Sequence, residues 1–494
     1  MTAQLRNPVL SGFNPDPSIV RVGDDYYLAT STFEYLPGLP IYHSTDLVEW
    51  NLIGHVAVTP DHLAVHDVPT GGGAWAPTLR YHNQQFWLAV TDAMGRGTLI
   101  FTAGHPSGPW SAGTPVPGVN GIDPDLAWDS DGTCYMTYSA LRLTGDGVGS
   151  HDGIEQVRIN PTTGETLCDP YPVWSGTGLM FPEAPHLYQH EGWWYLLIAE
   201  GGTERGHSVS ISRGTSPAGP FEGAPTNPIL SARSTARPVQ NTGHGDLVLG
   251  PDGQWLFYLL GMRTHGGTRS FSPRGRETFV TTARWVDGWL EVDPVELTDP
   301  QSGAFSDDFM SPTFPLQWLG LRALPADLAH RSAGHLTLRG DGAGMSDAHA
   351  TFVGIRLMHL DTHTSVEVDT SAGIGGLSMR YDEAHHYSVE ARGNQVIARA
   401  CVATLSQEWS IERPAGTTRV WMTTRAVTPG FAAMSCDEVI LGVDGPHGPI
   451  ELAVVDGRFL SAESTCSFTG RVIGVYCESG EVSFQNFSYT GSGN

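Results

Sequence analysis

The sequence predicts an all-β chain, a five-bladed β-propeller followed by a C-terminal β-sandwich. Three observations carry this expectation. First, one pattern recurs five times in the first part of the chain, at a period of roughly 50–60 residues, the mark of a propeller. Second, the segments after it alternate apolar and polar residues without a helical period, as an antiparallel sandwich requires. Third, 60 Gly and 34 Pro against 16% charged residues fit many short strands joined by turns and argue against disorder. A chain of 494 residues has room for two or three domains, each with a core.

Each repeat opens on a small, polar or Pro-containing start, then a short apolar segment, a polar turn and an aromatic-rich strand. The starts read DPSI from Asp16, WAPTL from Trp75, DPDL from Asp123, EAPHL from Glu183 and HGDL from His244. The strands read DDYYLATST from Asp24, NQQFWLAVT from Asn83, DGTCYMTYS from Asp131, EGWWYLLIA from Glu191 and DGQWLFYLL from Asp252. A propeller gathers equivalent positions of its blades around one axis, so Asp16, Asp123 and Glu183 are expected to converge. Asp16, Asp123 and His244 share one register, whereas Trp75 and Glu183 fall one residue earlier. The acids are therefore expected to approach from different sides.

Outer strands follow, as in LPIYHSTDLVEW from Leu39, TLIFTAGHPSGPW from Thr98 and VSISRGTSPAGPF from Val209, and the stretch around Phe279 to Val292 completes the ring. A linker is expected around Thr298 to Asp307, which places the propeller at 1–299 and the sandwich at 300–494. Sandwich strands are expected at HLTLRG from His335, TSVEVDT from Thr364, HYSVEAR from His386 and RVWMTT from Arg419, with others near Glu451 and Arg471.

The composition excludes several classes of function. A net charge of −25 argues against nucleic acid or anionic membranes as partners. The chain contains no lysine, so all 27 basic residues are Arg, and Schiff bases, a pyridoxal phosphate anchor and a P-loop lysine are all ruled out. The six cysteines, at positions 134, 168, 401, 436, 466 and 477, form no C-x-x-C pair and are read as buried thiols. No H-E-x-x-H or comparable zinc spacing occurs among the histidines. The N-terminal MTAQLRNPVLSG lacks the apolar core of a signal peptide and no run has the length of a membrane span, so a cytoplasmic location is expected.

At these motifs the chain resembles glycoside hydrolase family 43, and within it the two-domain bacterial β-xylosidases. The resemblance rests on NPVLSGFNPDPSIVRVGDDYYLATSTFEYLPGLPIYHSTDLVEW, GGGAWAPTLRY, GIDPDLAWDSDG, PEAPHLYQHEGWWYLLIAEGGT and GRETF, which span the first domain. In the second domain it rests on SDDF and FTGRVIGVYC. It implies a five-bladed propeller that cleaves terminal xylose or arabinofuranose with inversion. It also implies Asp16 as general base, Glu183 as general acid, Asp123 as the residue that tunes and orients the acid, and Arg276 as a sugar contact. Some members read Gly after the acid, where this chain has Ala184.

The chemistry agrees with these roles. Hydrolysis of a glycoside needs one carboxylic acid to protonate the leaving oxygen, and inversion needs a carboxylate to activate water on the opposite face. A neighbouring carboxylate such as Asp123 raises the pKa of Glu183, because two like charges resist joint ionisation. Phe33 and Trp75 are candidates for the apolar walls that a sugar ring packs on. Phe468 is the candidate for an aromatic that reaches the site from the sandwich, as relatives of this layout imply. His244 is expected to line the pocket or, as some relatives suggest, to ligate an axial divalent cation; no cofactor is otherwise required.

Each assignment has a structural competitor. Asp before Pro commonly starts a turn, an Arg pairs at strand ends, aromatics fill cores and a buried His is often only a structural one. His186 is read as pointing to the opposite face by strand alternation or packing under the site, and is given no site role. The leading expectation is an exo-acting β-xylosidase that trims short xylo-oligosaccharides, with a homo-oligomer left open. The alternatives are an α-L-arabinofuranosidase or bifunctional enzyme, a non-catalytic carbohydrate-binding propeller and a transglycosidase that retains the anomer.

Overall fold

The computed structural model describes residues 5–267, 271–416, 418–428, 430, 434–465 and 468–493. The five repeats fold as five antiparallel sheets. Blade 1 comprises Ser18–Val22, Asp25–Ala29, Gly38–Ser44 and Asn51–Ala57. Blade 2 comprises Gly73–His82, Gln85–Ala93, Gly97–Ala103 and Thr114–Pro115. Blade 3 comprises Ile122–Trp128, Cys134–Leu141 and His151–Asn160, with Glu165–Thr166 and Tyr171–Trp174 sharing its outer edge. Blade 4 is Glu183–His190, Trp193–Glu200 and Ser208–Gly214, edged by Glu222–Gly223 and Leu230–Ser231. Blade 5 is Val239–Leu249, Trp255–Arg263, Glu277–Val286 and Trp289–Val292.

The first strands of successive blades touch one another in order, and that of blade 5 returns to that of blade 1. The N-terminal segment straps this closure. Leu10 bridges Thr278 of blade 5, and the Asn7 amide donates to the carbonyls of Val280 (2.7 Å) and Glu296 (2.9 Å).

Local sequence explains the blades. In blade 2, His82 pairs with Gln85 across Asn83 and Gln84, both left-handed at φ 50° and 59°. Such a two-residue turn matches the twist of the strands it joins. The second strands are apolar almost throughout because both of their faces are buried. Leu88 and Val90 pack with Ala29 and Ile41 of blade 1, while Trp87 and Ala89 pack with Leu126 and Met136 of blade 3. Each such side chain contributes about 1.5–3 kcal/mol by leaving water.

The expected linker lies a little earlier than its sequence suggests. Residues 293–302 form no strand, but Gly303–Asp307 already pairs with the final strand of the chain. The remaining strands form the sandwich. Its two long members, Asp361–Asp382 and Val472–Ser492, pair along most of their length. A bulge between Asp369 and Ala372 divides the first of these. Its early half pairs with Thr418–Ala426 and its late half with His385–Arg392, so one strand serves both layers. Val366, Leu377, Val389, Val420, Leu441, Val475 and Phe484 fill the core between the layers. Among the described residues the only α-helix is Pro325–Leu328, and no helix is long and apolar enough to cross a membrane.

The two domains share a seam. Tyr35–Leu36, between the second and third strands of blade 1, pairs antiparallel with Gly320 and Leu321 of the sandwich. Around it Phe13, Phe33 and Tyr35 pack with Leu319, Leu321, Phe352 and Tyr476 in one buried cluster. Cys134, Cys401, Cys436 and Cys477 are buried thiols as expected; Cys168 is half-buried, and Cys466 lies outside the described residues.

Candidate active site

Every blade carries a residue with left-handed backbone in, or just before, its first strand. These are Asp16 (φ 57°), Ala76 (43°), Asp123 (55°), Ala184 (51°) and His244 (45°). In blades 2 to 5 the strand register slips at the same place, between Trp75 and Thr78, Ile122 and Asp125, Glu183 and His186, and Gly243 and Gly245. Consecutive residues of a regular strand point to opposite faces. The kink suspends that rule, so the side chain at the kink (Asp16, Asp123, His244) and the one just before it (Trp75, Glu183) reach the same cavity. This is the physical form of the one-residue offset in the repeats.

The cavity has a volume of about 230 Å³ and lies at the centre of the ring, facing the sandwich. Asp16, Asp123, Glu183, Arg276, His244, Phe33, Trp75 and Phe468 all line it. Asp16 is buried and well partnered. Its Oδ2 accepts from the Ser31 hydroxyl at 2.6 Å, and its Oδ1 from Arg276 Nη1 at 3.1 Å. His244 Nδ1 lies 3.6 Å from the same oxygen. Burial alone would raise this carboxyl, but Arg276, His244 and the Ser31 hydroxyl outweigh it and hold it below the usual carboxylate range.

Glu183 is in the opposite situation. Burial, followed by the negative charge of Asp123, raises its pKa well above the usual range, against the pull of Arg276. Burial and Asp16 likewise push Asp123 up to about 7. Two such neighbours titrate as a pair, and the geometry favours Glu183 as the partner that keeps the proton longer. Asp123 Oδ2 accepts from the backbone N–H of Ala184 at 3.0 Å, which favours its ionised form. Glu183 accepts no hydrogen bond from a described residue, and its side chain keeps 18% of its surface open.

The walls combine both domains. Arg276 donates from Nη1 to Thr203 Oγ1 at 3.1 Å and from Nε to the carbonyl of Phe468 at 3.2 Å. Its guanidinium lies over the rings of Phe33 (5.5 Å) and Phe468 (5.2 Å). Trp75 meets Phe468 edge-on at 5.8 Å and anchors its Nε1–H on the Gly71 carbonyl at 2.6 Å. Phe33 lines the cavity but is only 1% exposed and belongs to the seam cluster, so Trp75 and Phe468 supply most of the open aromatic surface.

Beneath the cavity, Arg80 of blade 2 ties the ring together. Its guanidinium reaches Asp125 Oδ1 of blade 3 at 2.6 Å, Asp246 Oδ2 of blade 5 at 2.9 Å and His186 Nδ1 of blade 4 at 2.9 Å. Ser18 of blade 1 donates to Asp246 at 2.7 Å, so all five blades take part. His186 packs under the site, as its strand position suggests. A divalent cation beside His244 would find a single carboxylate, Asp16, already neutralised by Arg276. Such ions take several oxygen ligands, water among them, so the protein would supply only a few of the set here. A different group, His66, Asp67 and His349, has its ligand atoms within 4.8 Å of one another on the exposed seam, outside the cavity.

Residues 5–290 match the family model for glycosyl hydrolases family 43, and residues 306–490 match that for the beta xylosidase C-terminal concanavalin A-like domain. The chain belongs to glycosyl hydrolases family 43. Among family 43 relatives, a non-reducing end alpha-L-arabinofuranosidase of Bacteroides ovatus is 34% identical, over 96% of this chain and 91% of its own. A xylan 1,3-beta-xylosidase of Vibrio sp is 33% identical, over 80% and 81%. The solved structure of a xylan beta-1,4-xylosidase from Bacillus halodurans superposes with a TM-score of 0.86 at 26% identity, covering 98% of this chain and 100% of that one.

Within this family frame, Ser31, Thr203, His207 and the Arg80 network take part in the site without standing out in the sequence. Thr203 and His207 lie in the loop that follows the second strand of blade 4, in AEGGTERGH. Its paired glycines, Gly201 and Gly202, both left-handed at φ 90° and 76°, are the one local sign that the loop turns back over the site.

Proposed function

We propose that this chain is an exo-acting β-xylosidase that releases xylose from the non-reducing ends of short xylo-oligosaccharides by single-step inverting hydrolysis. The observation that carries the reading is the opposite treatment of two carboxyls in one cavity: Asp16 is held ionised and Glu183 is held protonated. In the reaction, Asp16 takes a proton from water, the water oxygen bonds to the anomeric carbon, and the bond to the leaving oxygen breaks as Glu183 delivers its proton there. Asp123 keeps the proton on Glu183, and Arg276 holds Asp16 and the sugar. The cavity volume of about 230 Å³ falls below the roughly 300–1,000 Å³ typical of drug-sized ligands and suits a single sugar unit at a chain end. The sandwich closes one side of it through Phe468.

The second reading is an α-L-arabinofuranosidase, favoured by the activity of the Bacteroides relative. Turnover of nitrophenyl β-xyloside against nitrophenyl α-arabinofuranoside separates the two, and cleavage of the arabinoside alone would overturn the xylosidase reading. Asp16→Ala and Glu183→Ala test the site. Each is expected to lower kcat on xylobiose by about 10²–10⁴-fold, and full activity in both rejects the assignment. Proton NMR of the first-released sugar tests inversion, which yields the α-anomer from a β-xyloside. We further propose that no metal takes part, so that a chelator leaves the rate unchanged.

A further inference from the structure

We infer that His207 is a positioning residue for Glu183: its unprotonated Nε2 faces the acid and favours the protonated, donating form of that carboxyl. The inference rests on the reading of Glu183 as the general acid.

The tautomer follows from one contact. His207 Nδ1 lies 3.0 Å from the carbonyl oxygen of Asn241. A carbonyl only accepts, so Nδ1 carries the hydrogen. The ring is completely buried, and burial, aided by the positive charge of Arg276, lowers its pKa to about 4. At neutral pH the ring therefore holds one proton, on Nδ1, and Nε2 presents a lone pair. That nitrogen is buried without a hydrogen-bond partner and lies 3.8 Å from Glu183 Oε1. A buried polar atom without a partner calls for an explanation, and a protonated Glu183 supplies one.

The ring is also held in place. Gly243 of blade 5 lies against its face, and a Cβ there would sit 2.3 Å from a ring carbon. Asn241, left-handed at φ 56°, presents the carbonyl that fixes the other edge. With Glu183 ionised, two acceptors would face each other; with Glu183 protonated, its O–H has a partner. The 3.8 Å separation is long, but such contacts in substrate-free sites commonly tighten when substrate binds. The entering glycosidic oxygen then replaces Nε2 as the acceptor. Once the proton has been delivered, the lone pair again opposes the ionised form and favours uptake of a new proton.

The groups acting on Glu183 are Asp123 of blade 3, Asp16 of blade 1, Arg276 of blade 5, and Glu204 and His207 of the loop in blade 4. Only His207 is changed in the test. His207→Leu and His207→Phe both fill the space and remove the lone pair. In profiles of kcat/KM against pH on xylobiose, the alkaline limb is expected to move to lower pH in either variant while the acidic limb stays in place. Each unit of displacement reads as about a tenfold loss above the limb. A lowered plateau with both limbs unmoved would mean a packing role only and overturns the inference. The parent chain offers a second measurement that needs neither variant to fold. In long-range nitrogen NMR of histidine-labelled protein, the ring that responds to Glu183→Gln is expected to be the neutral Nδ1–H tautomer; an Nε2–H or doubly protonated ring overturns the inference. Glu183→Ala separates the two levels of the argument. Its loss is expected on xylobiose and is expected to be small on a dinitrophenyl xyloside, whose leaving group needs no proton. Equal loss on both substrates rejects Glu183 as the acid, whereas the expected split together with unmoved limbs in the His207 variants rejects His207 alone.

Discussion

The backbone N–H of Ala184 donates to Oδ2 of Asp123 at 3.0 Å. The residue that follows Glu183 of blade 4 is thus bonded to the Asp123 carboxylate of blade 3. A single hydrogen bond fixes the strand that carries Glu183 and also favours the ionised form of Asp123.

Asp123→Asn separates these two roles. The amide oxygen still accepts from Ala184, but the negative charge is gone. The pKa of Glu183 is expected to fall, so its proton is lost at lower pH. Profiles of kcat against pH on nitrophenyl β-xyloside are expected to show the alkaline limb moved to lower pH. An unmoved limb would show that burial alone raises Glu183.

Ala184 itself sits at φ 51°, a left-handed conformation that costs a residue with a Cβ roughly 1–2 kcal/mol. Glycine removes that cost but loses more freedom on folding. Ala184→Gly is therefore expected to stabilise the chain by about 0.5–1 kcal/mol, read from the urea midpoint, with little change in kcat. A loss of stability would mean that the methyl group packs usefully in its buried position.

The raised pKa of Glu183 has a consequence for stability. Folded Glu183 keeps its proton at pH values where the unfolded chain has lost it, so its contribution to stability falls as pH rises from the ordinary carboxylate range through its folded pKa. Glu183→Gln does not titrate. Its Tm is expected to exceed the parent's by a margin that grows with pH and vanishes in acid. A margin independent of pH would contradict the raised pKa.

Arg80→Met leaves Asp125 and Asp246 buried without their shared cation. Removing one partner of a buried ion pair costs about 3–5 kcal/mol. The Asp246 pKa is depressed, with burial outweighed first by Arg80, so the stability it contributes is present above its unfolded pKa and lost as pH falls. Denaturant midpoints are expected to show the gap between variant and parent narrowing in acid. A small, pH-independent gap would mean that the ring is held by its apolar layers alone.

The five blades were legible because their second strands are buried on both faces, which leaves aromatic-rich runs such as Gln85–Ala93. The three acids were legible because they recur at blade starts, and even the offset of Trp75 and Glu183 was visible. Its cause was not visible, since a left-handed kink at Asp123 or Ala184 has no signature in residues that rarely adopt one. Arg80 was missed because its partners Asp125, His186 and Asp246 lie on three other blades. His207 was missed because its role depends on which ring nitrogen faces Glu183. The deep burial of Phe33 was not legible, because a seam between domains buries a ring as fully as a core does.

The strand pairing of Tyr35–Leu36 with Gly320–Leu321 bears on how this enzyme comes apart. Main-chain bonds and a shared apolar cluster span the boundary, and Phe468 reaches the cavity across it. The two halves are therefore expected to unfold as one cooperative unit rather than as interchangeable cassettes. Excising the first would uncover the apolar face around Phe13 and Tyr35 and leave the sugar site without its far wall.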